Sequence, residues 1–158
     1  MTTGPDNREA PPYLTMANMA IEHMLAPAHR MGVTIVELEE GRAAAEVPVE
    51  GNTNHVGTIY AGVLFTVAEV LGGAICLPTF DSTQFYPIVK DVQIRFRRPA
   101  TTRIRATTAL DSGTVEKVSA AAAANGKADF ELDAELTDTA GTVVATTHGV
   151  YQLRRHGT

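Results

Sequence analysis

The chain contains 158 residues, of which 44% are hydrophobic and 20% are charged, as expected for one globular domain with a single core. Its thirteen basic and eighteen acidic residues give a net charge of −5, which argues against general binding to nucleic acid or to an anionic membrane. The single cysteine, Cys76, permits no internal disulfide and fits a reducing compartment.

The N-terminal residues Met1–Pro12 are polar and rich in proline, and we expect a flexible tail there, followed by one domain over residues 13–158. The tail contains no basic region followed by an apolar run, so no secretion signal is predicted and the expected location is the cytoplasm. Tyr13–Leu25 carries apolar side chains at helical spacing and predicts a short helix, which Pro27 ends or kinks.

A hairpin and a long apolar helix are predicted next. Val33–Glu39 and Arg42–Val49 are strand-like runs about a Glu-Gly turn. The stretch Asn54–Leu77 opens with turn residues, and its helix is expected to begin at Tyr60–Gly62. Because this helix is apolar on nearly every side, we expect it in the core, and its glycines and short length argue against membrane insertion. Its predicted buried face consists of Ala61, Leu64, Phe65, Ala68, Leu71 and Ile75.

Alternating strands and one more helix follow. Ser112 is the predicted cap of a short helix over Gly113–Ala124, which Asn125 and Gly126 close. Each strand alternates apolar and polar residues, which is typical of a sheet with one wet face. On the predicted strand Tyr86–Arg98, the side chains of Val92, Ile94 and Phe96 are expected to face inward. The predicted strands are Tyr86–Arg98, Thr102–Leu110, Ala128–Asp138 and Thr142–Leu153.

This order of elements predicts an α+β fold in which a curved antiparallel sheet wraps around the long central helix. One sheet cannot cover a helix that is apolar all round, and the strands leave edges that need a partner. We therefore expect a homodimer with two-fold symmetry or a dimer of dimers.

Glu69 is the only side chain between Val56 and Leu77 that is ordinarily charged at neutral pH. A buried carboxylate must be paired, neutralised or used in chemistry. At the helix start, around Ala61 and Gly62, free backbone N–H groups and the helix dipole favour negative charge. A helix end that stabilises an anion and a carboxylate of raised pKa are the parts of an acyl-transfer or hydrolysis site. The alternative is that Glu69 pairs with an arginine and only holds the core together.

Other residue types offer weaker candidates. The histidines lack metal-ligand spacing, so no metal site and no cofactor are predicted. No Gly-x-Ser-x-Gly motif and no phosphate-binding glycine pattern is present. Asn54 is either a turn residue before the helix or a group that orients water or substrate. His55 ranks below Glu69 as a base.

Five arginines are concentrated on two neighbouring predicted strands. They are candidates either for contacts with phosphates or for cross-strand pairs with Glu131, Asp133 and Glu135. Arg98, at the turn, is the best candidate for a phosphate contact. The set is Arg95, Arg97, Arg98, Arg103 and Arg105.

The order of elements and the helix sequence resemble the hotdog-fold thioesterase superfamily over about Pro27 to Arg155. In its acyl-CoA thioesterase branch the helix motif is roughly Asn-x-x-Gly-x-x-His-Gly-Gly, with an Asp or Glu further along. Tyr60 and Ala61 depart from the His-Gly of that motif. The Asn-His-Val-Gly-Thr start and the additional helix look most like the DUF4442-type branch. The matching positions are Asn54, Gly57, Gly62 and Glu69.

The resemblance implies a hotdog fold that hydrolyses an acyl-CoA thioester. In the family, a backbone N–H at the helix start polarises the thioester carbonyl, and a carboxylate, usually from the facing subunit, activates water or attacks directly. This implies Glu69 as base or nucleophile, Ala61 and Gly62 as the oxyanion hole, and Asn54 as a positioning group. The eight positions from Ala61 to Glu69 span roughly 12 Å of helix axis, which favours a site shared between subunits. The implied substrate contacts are His55, Gly57, Tyr60 and Arg98.

Two other functions stay open at this point. A non-catalytic protein that binds acyl-CoA or fatty-acyl groups would keep the same fold and the same helix. A hotdog-fold dehydratase or hydratase would use an Asp/His pair, for which His55 is the one candidate. The direction in which Glu69 points, into a shared cleft or onto an arginine, discriminates among these functions.

Overall fold

The computed structural model describes residues 12–158, so the predicted tail lies outside the described residues except for Pro12, which begins the first helix. Within this part of the chain there are five helices and six strands. Their bounds are α1 Pro12–Met24, α2 Ala26–Arg30, β1 Thr34–Glu39, β2 Arg42–Val47, α3 Ala61–Ala74, α4 Cys76–Thr79, β3 Phe85–Phe96, β4 Ile104–Ala109, α5 Ser112–Asn125, β5 Lys127–Thr137 and β6 Val143–Arg155.

The six strands form one sheet in the order β1-β2-β4-β5-β6-β3, with every neighbouring pair antiparallel. The predicted hairpin and the four later strands are all present. Alternation along β5 places Phe130, Leu132, Ala134 and Leu136 on the buried side, which is the period-two pattern of a sheet with one face on the core. The predicted α+β architecture, a curved antiparallel sheet around a central helix, is therefore confirmed.

The central helix α3 is buried on the side that the sheet covers and open on the other. Val67 and Leu71 retain 0% and 1% of their accessible surface. The open side carries a stripe at four-residue steps, which we call the open stripe: Ala61, Phe65, Glu69 and Gly73. Ala61 and Phe65 were predicted to be buried, and that prediction was wrong, because one sheet encloses only part of the helix circumference.

The stretch Ala61–Thr79, which comprises α3 and α4, is long and apolar enough to cross a membrane by length and composition alone. More than half of it, 56%, is buried inside the protein. Burial by the protein's own strands accounts for its apolar composition.

Tyr151 of β6 fixes α3 against the sheet. Its ring stacks on that of Phe130, with centroids 5.7 Å apart, and its hydroxyl donates a hydrogen bond to the carbonyl oxygen of Glu69 at 3.3 Å. The ring lies over Gly72, where an added Cβ would come within 1.9 Å of a ring carbon. Glycine at this position therefore allows the close approach between strand and helix beside Glu69.

Replacement of Gly72 by alanine is expected to lower the free energy of unfolding by about 1–3 kcal/mol, because the methyl group would overlap the Tyr151 ring. Gly73→Ala is the matched control, since a Cβ there meets nothing within 4 Å. That control is expected to gain up to about 1 kcal/mol from the better helix propensity of alanine. Urea denaturation compares the two variants, and equal stabilities would show that Tyr151 does not press on α3.

The two edges of the sheet differ in how they are covered. At β1, the Asn18 side chain on α1 donates to the carbonyl oxygen of Ile35 and accepts from its N–H, both at 2.9 Å. The other edge is β3, which is 12 residues long and pairs with β6 alone among the described strands. An uncovered edge of this length is a template for pairing with a second copy of the chain.

Three local predictions were wrong. Asp111, not Ser112, caps α5: its carboxylate accepts a hydrogen bond from the Thr114 N–H at 2.7 Å, and Ser112 is the first helical residue. Phe96 is 50% exposed because it ends the edge strand β3, where the core no longer covers it. Helical structure also continues past Leu77, where the predicted helical stretch ends, because the short helix α4 runs to Thr79.

Candidate active site

Glu69 lies on the open stripe of α3 and is partly buried. Among residues 12–158, no salt bridge engages its carboxylate. Burial raises the pKa of Glu69 above its ordinary value, and no cation of residues 12–158 offsets the loss of hydration. Among the arginines of residues 12–158, none holds Glu69, so the alternative of an arginine pair is not found in this part of the chain.

Arg105, the arginine of β4, pairs with acidic residues of β1 and β2 and not with the predicted ones of β5. In the sheet, β4 lies between β2 and β5. Arg105 lies opposite Glu46 on the β2 side and opposite Thr137, which carries no charge, on the β5 side. Its guanidinium consequently lies 3.1 Å from Glu46 and 2.6 Å from Glu37.

The predicted pairing of arginines with the acidic residues of β5 was thus wrong within residues 12–158, where two of those acids, Glu131 and Asp133, lie beside His148 instead. His148 lies directly opposite Asp133 in the pairing of β5 with β6. The Asp133 carboxylate lies 2.6 Å from Nδ1 of His148 and raises the pKa of that imidazole.

The start of α3 presents free backbone N–H groups. Tyr60 precedes the helix in an extended conformation, with φ −59° and ψ 137°, and no side chain in the described part of the chain caps the helix. The Tyr60 carbonyl accepts from the N–H of Val63 at 2.9 Å, whereas the N–H groups of Ala61 and Gly62 meet no acceptor within residues 12–158. Since Ala61 is exposed, this end of the helix can donate hydrogen bonds to an anionic oxygen.

Asn54 closes the loop that leads into α3. Its Oδ1 accepts from the N–H groups of Val56 and Thr58 at 3.0 and 3.1 Å, and its Nδ2 donates to the Thr58 hydroxyl at 2.9 Å. Gly57, at φ +82°, supplies the left-handed turn that the loop requires. The side chain of Asn54 thus stabilises the turn before the helix, which is one of its two predicted roles. His55 is exposed on the same loop.

A cavity of about 360 Å³ lies beside the helix start, and Asn54, Tyr60 and Arg30 are among its lining residues. The Tyr60 ring packs over Gly62, where a Cβ would come within 2.7 Å of it. The sequence carries no signal for Arg30, which ends α2 far from the motif and reaches this cavity only through the tertiary fold.

Arg98 is exposed and lies two residues before Ala100, whose carbonyl accepts a hydrogen bond from the Ile59 N–H at 2.8 Å. The fold therefore places Arg98, the predicted phosphate contact, in the segment that lies beside the loop leading into α3. Asn54, His55, Gly57, Tyr60, Ala61 and Gly62 share this end of α3. Glu69 follows Ala61 by eight residues, roughly 12 Å along the helix axis. One protomer alone therefore does not bring Glu69 to the free amides of Ala61 and Gly62.

Cys76 is not a candidate nucleophile. Its thiol is buried, donates to the carbonyl oxygen of Gly72 at 3.2 Å, and has a pKa raised to about 12 by that burial. Such a thiol stays protonated at neutral pH and packs as a small apolar group. Across residues 12–158, no three potential metal-ligating side chains are grouped together.

The unpaired carboxylate predicts a specific dependence of stability on pH. Because the folded state raises the pKa of Glu69 from its ordinary 4.5, it holds this proton more tightly than the unfolded chain does. The contribution of Glu69 to stability therefore falls as pH rises from below 4.5 through the raised folded-state pKa, so the stability of the wild type falls relative to that of Glu69→Gln. Thermal melts compare the wild type with Glu69→Gln across this pH range. The two melting temperatures are expected to converge at the acid end, and that of the variant is expected to be higher near neutral pH. A wild type that is the more stable near neutral pH would indicate a cation beside Glu69.

Comparisons with known proteins agree with this architecture. A family model described as "Domain of unknown function (DUF4442)" matches residues 15–152. The solved structure of PA5026 from Pseudomonas aeruginosa, described as a protein of unknown function and probable thioesterase, is 44% identical, covers 90% of this chain and 95% of its own, and has a TM-score of 0.84. A search of curated proteins found no match.

Two more distant structures show the fold alone. A variant of thioesterase PA1618 from Pseudomonas aeruginosa is 16% identical, covering 94% of this chain and 97% of its own with a TM-score of 0.73. Thioesterase HI1161 from Haemophilus influenzae is 13% identical, covering 92% of this chain and 94% of its own, also with a TM-score of 0.73. Together these neighbours confirm the predicted hotdog fold.

Proposed function

The chain belongs to the DUF4442 family, and on this premise we propose that it is an acyl-CoA thioesterase whose site is shared between two subunits. The observation that carries the proposal is a partly buried carboxylate without a salt bridge among residues 12–158, on the same helix as two start amides, Ala61 and Gly62, that meet no acceptor there. A probable thioesterase at 44% identity supports the same class of reaction.

In the proposed reaction, Glu69 takes a proton from a water molecule whose oxygen attacks the thioester carbonyl carbon. The carbonyl oxygen becomes an oxyanion, which the N–H groups of Ala61 and Gly62 stabilise. Collapse of the tetrahedral intermediate breaks the carbon–sulfur bond, and the proton held by Glu69 passes to the departing thiolate. If Glu69 attacks directly, an acyl-glutamyl anhydride forms and water then hydrolyses it; the same amides serve both routes.

A two-fold axis offers a simple way to assemble this site. Ala61 and Glu69 lie four residues on either side of Phe65, which is 37% exposed on the open stripe. If two α3 helices pair antiparallel about Phe65, the partner's Ala61 comes opposite Glu69, and each dimer contains two identical sites. The uncovered edge of β3 supports assembly with a second copy.

The coenzyme A moiety is proposed to lie at the helix start. Arg30 lines the cavity there, and Arg98 lies close in the chain to the Ala100–Ile59 hydrogen bond. Guanidinium groups at this position suit phosphates. Asn54 and Gly57 shape the loop, and the exposed His55 and Tyr60 border the proposed entry.

A direct assay tests the proposal. Acyl-CoA thioesters of increasing chain length are incubated with the wild-type protein and with Glu69→Gln, and the released thiol is followed with a thiol-reactive dye. Hydrolysis by the wild type that depends on Glu69 is the expected result. Ligand binding without turnover by the wild type would favour a binding protein instead.

A further inference from the structure

An apolar cavity of about 370 Å³ lies between α1 and the C-terminal half of α3. The sheet curls around α3, but its two edges do not meet, and α1 covers the gap only in part. Ile35 of β1 and Pro87 of β3, which lie on the two edge strands, both line the cavity. Every described residue that lines it has an apolar side chain or none, so the cavity offers no polar side chain to a ligand.

The cavity adjoins the proposed site along α3. Gly73, one of its lining residues, follows Glu69 by four residues on the open stripe, about 6 Å along the helix axis. A Cβ at Gly73 would meet nothing within 4 Å, so the space over this glycine is open. The opposite wall is formed by the small side chains of Ala17 and Ala20 on α1.

The rim of the cavity is adaptable. Met24 and Leu25, at the end of α1, line it while keeping 79% and 44% of their surface exposed. Methionine is flexible and polarizable and fits apolar ligands of different shapes. Such a rim suits an occupant that varies in length.

We infer that this cavity holds the distal part of the acyl chain, so that the protein prefers thioesters of medium or long chains, with Gly73 determining the chain length; the inference rests on the proposed function. A chain whose carbonyl carbon lies beside Glu69 reaches Gly73 after about 6 Å, slightly more than one helical turn. A methylene takes about the room of a water molecule in the liquid, ~30 Å³, so the cavity holds on the order of ten. Each methylene buried there adds affinity, whereas a short acyl chain ends before it.

Binding measurements separate this inference from the proposed reaction. Dodecyl-CoA and butyl-CoA, thioethers that cannot be hydrolysed, are titrated into wild type, Gly73→Leu, Ala20→Leu and the control Ala120→Leu, which adds a leucine to the exposed side of α5. The wild type is expected to bind dodecyl-CoA at least about a hundredfold more tightly than butyl-CoA. Either cavity variant is expected to reduce that ratio by about tenfold or more, and the control to leave it unchanged.

The outcomes are distinguishable. Equal affinity for the two thioethers, or a ratio that both cavity variants leave intact, overturns the inference even if thioesters are hydrolysed. A preference for dodecyl-CoA that the cavity variants abolish, in a protein that hydrolyses no thioester, supports the cavity and refutes the proposed reaction. Circular dichroism of each variant confirms folding, and the second cavity variant decides the question if the first does not fold.

Discussion

Hydrolysis of an acyl-CoA thioester by the Glu69→Gln variant is expected to be about 10²–10⁴-fold slower in kcat than by the wild type, the usual contribution of a positioned acid–base group. Glutamine keeps the size of the side chain but accepts no proton from water and cannot attack as a carboxylate. Since the Glu69 carboxylate forms no salt bridge among the described residues, the substitution leaves no partner unpaired. The loss is therefore expected without a loss of stability.

Glu116→Gln provides the matched control, because Glu116 is an exposed carboxylate on α5, away from the open stripe. Its rate is expected to equal that of the wild type. The pH profile adds a second readout: with Glu69 as base or nucleophile, kcat/KM rises as pH passes through the raised pKa of this carboxylate. A Glu69→Gln variant as fast as the wild type would remove this residue from the mechanism.

The Ala61→Pro variant is expected to lose about 10²–10³-fold in kcat, as when one donor of an oxyanion hole is removed. Proline deletes the N–H of residue 61, and it is tolerated at the first position of a helix. Tyr60 already has φ −59° and ψ 137°, within the extended region that a residue before proline adopts. Because the Ala61 N–H has no acceptor in the described chain, folding loses no hydrogen bond.

Ser112→Pro tests whether proline itself is harmful. Ser112 is the first residue of α5, and Asp111 before it is also extended, at φ −71° and ψ 157°. This control is expected to keep both its helix content and its hydrolysis rate. If Ala61→Pro is as active as Ser112→Pro while both are folded, the Ala61 N–H does not stabilise the transition state.

Much of the fold could be predicted from local patterns. The alternation along β5 and the glycine that closes α5 depend on residues close in sequence, and both were found where expected. Glu69 stood out for the same reason, since a single charge within a long apolar run is visible without any tertiary information. The partners of the arginines, in contrast, depended on strand register, which places Glu46 rather than an acidic residue of β5 beside Arg105.

The remaining features depend on contacts between distant segments. The exposure of Phe65 follows from how far the sheet curls, which no local pattern encodes. Arg30 reaches the helix-start cavity from a separate helix, and the apolar cavity needs α1 and both sheet edges together. Asn54 could be assigned to a turn or to catalysis from its type alone, and only the three hydrogen bonds of its side chain show the turn.

The shared site is tested most directly by a heterodimer of Glu69→Gln and Ala61→Pro, coexpressed with two different tags and purified through both. If each site joins Glu69 of one subunit to the amides of the other, one site carries both defects and the second is intact. About half of the wild-type activity is then expected from two nearly inactive parents, by the symmetry of a two-site dimer. A heterodimer no more active than its parents, or an active wild type that is monomeric in solution, would contradict the shared site.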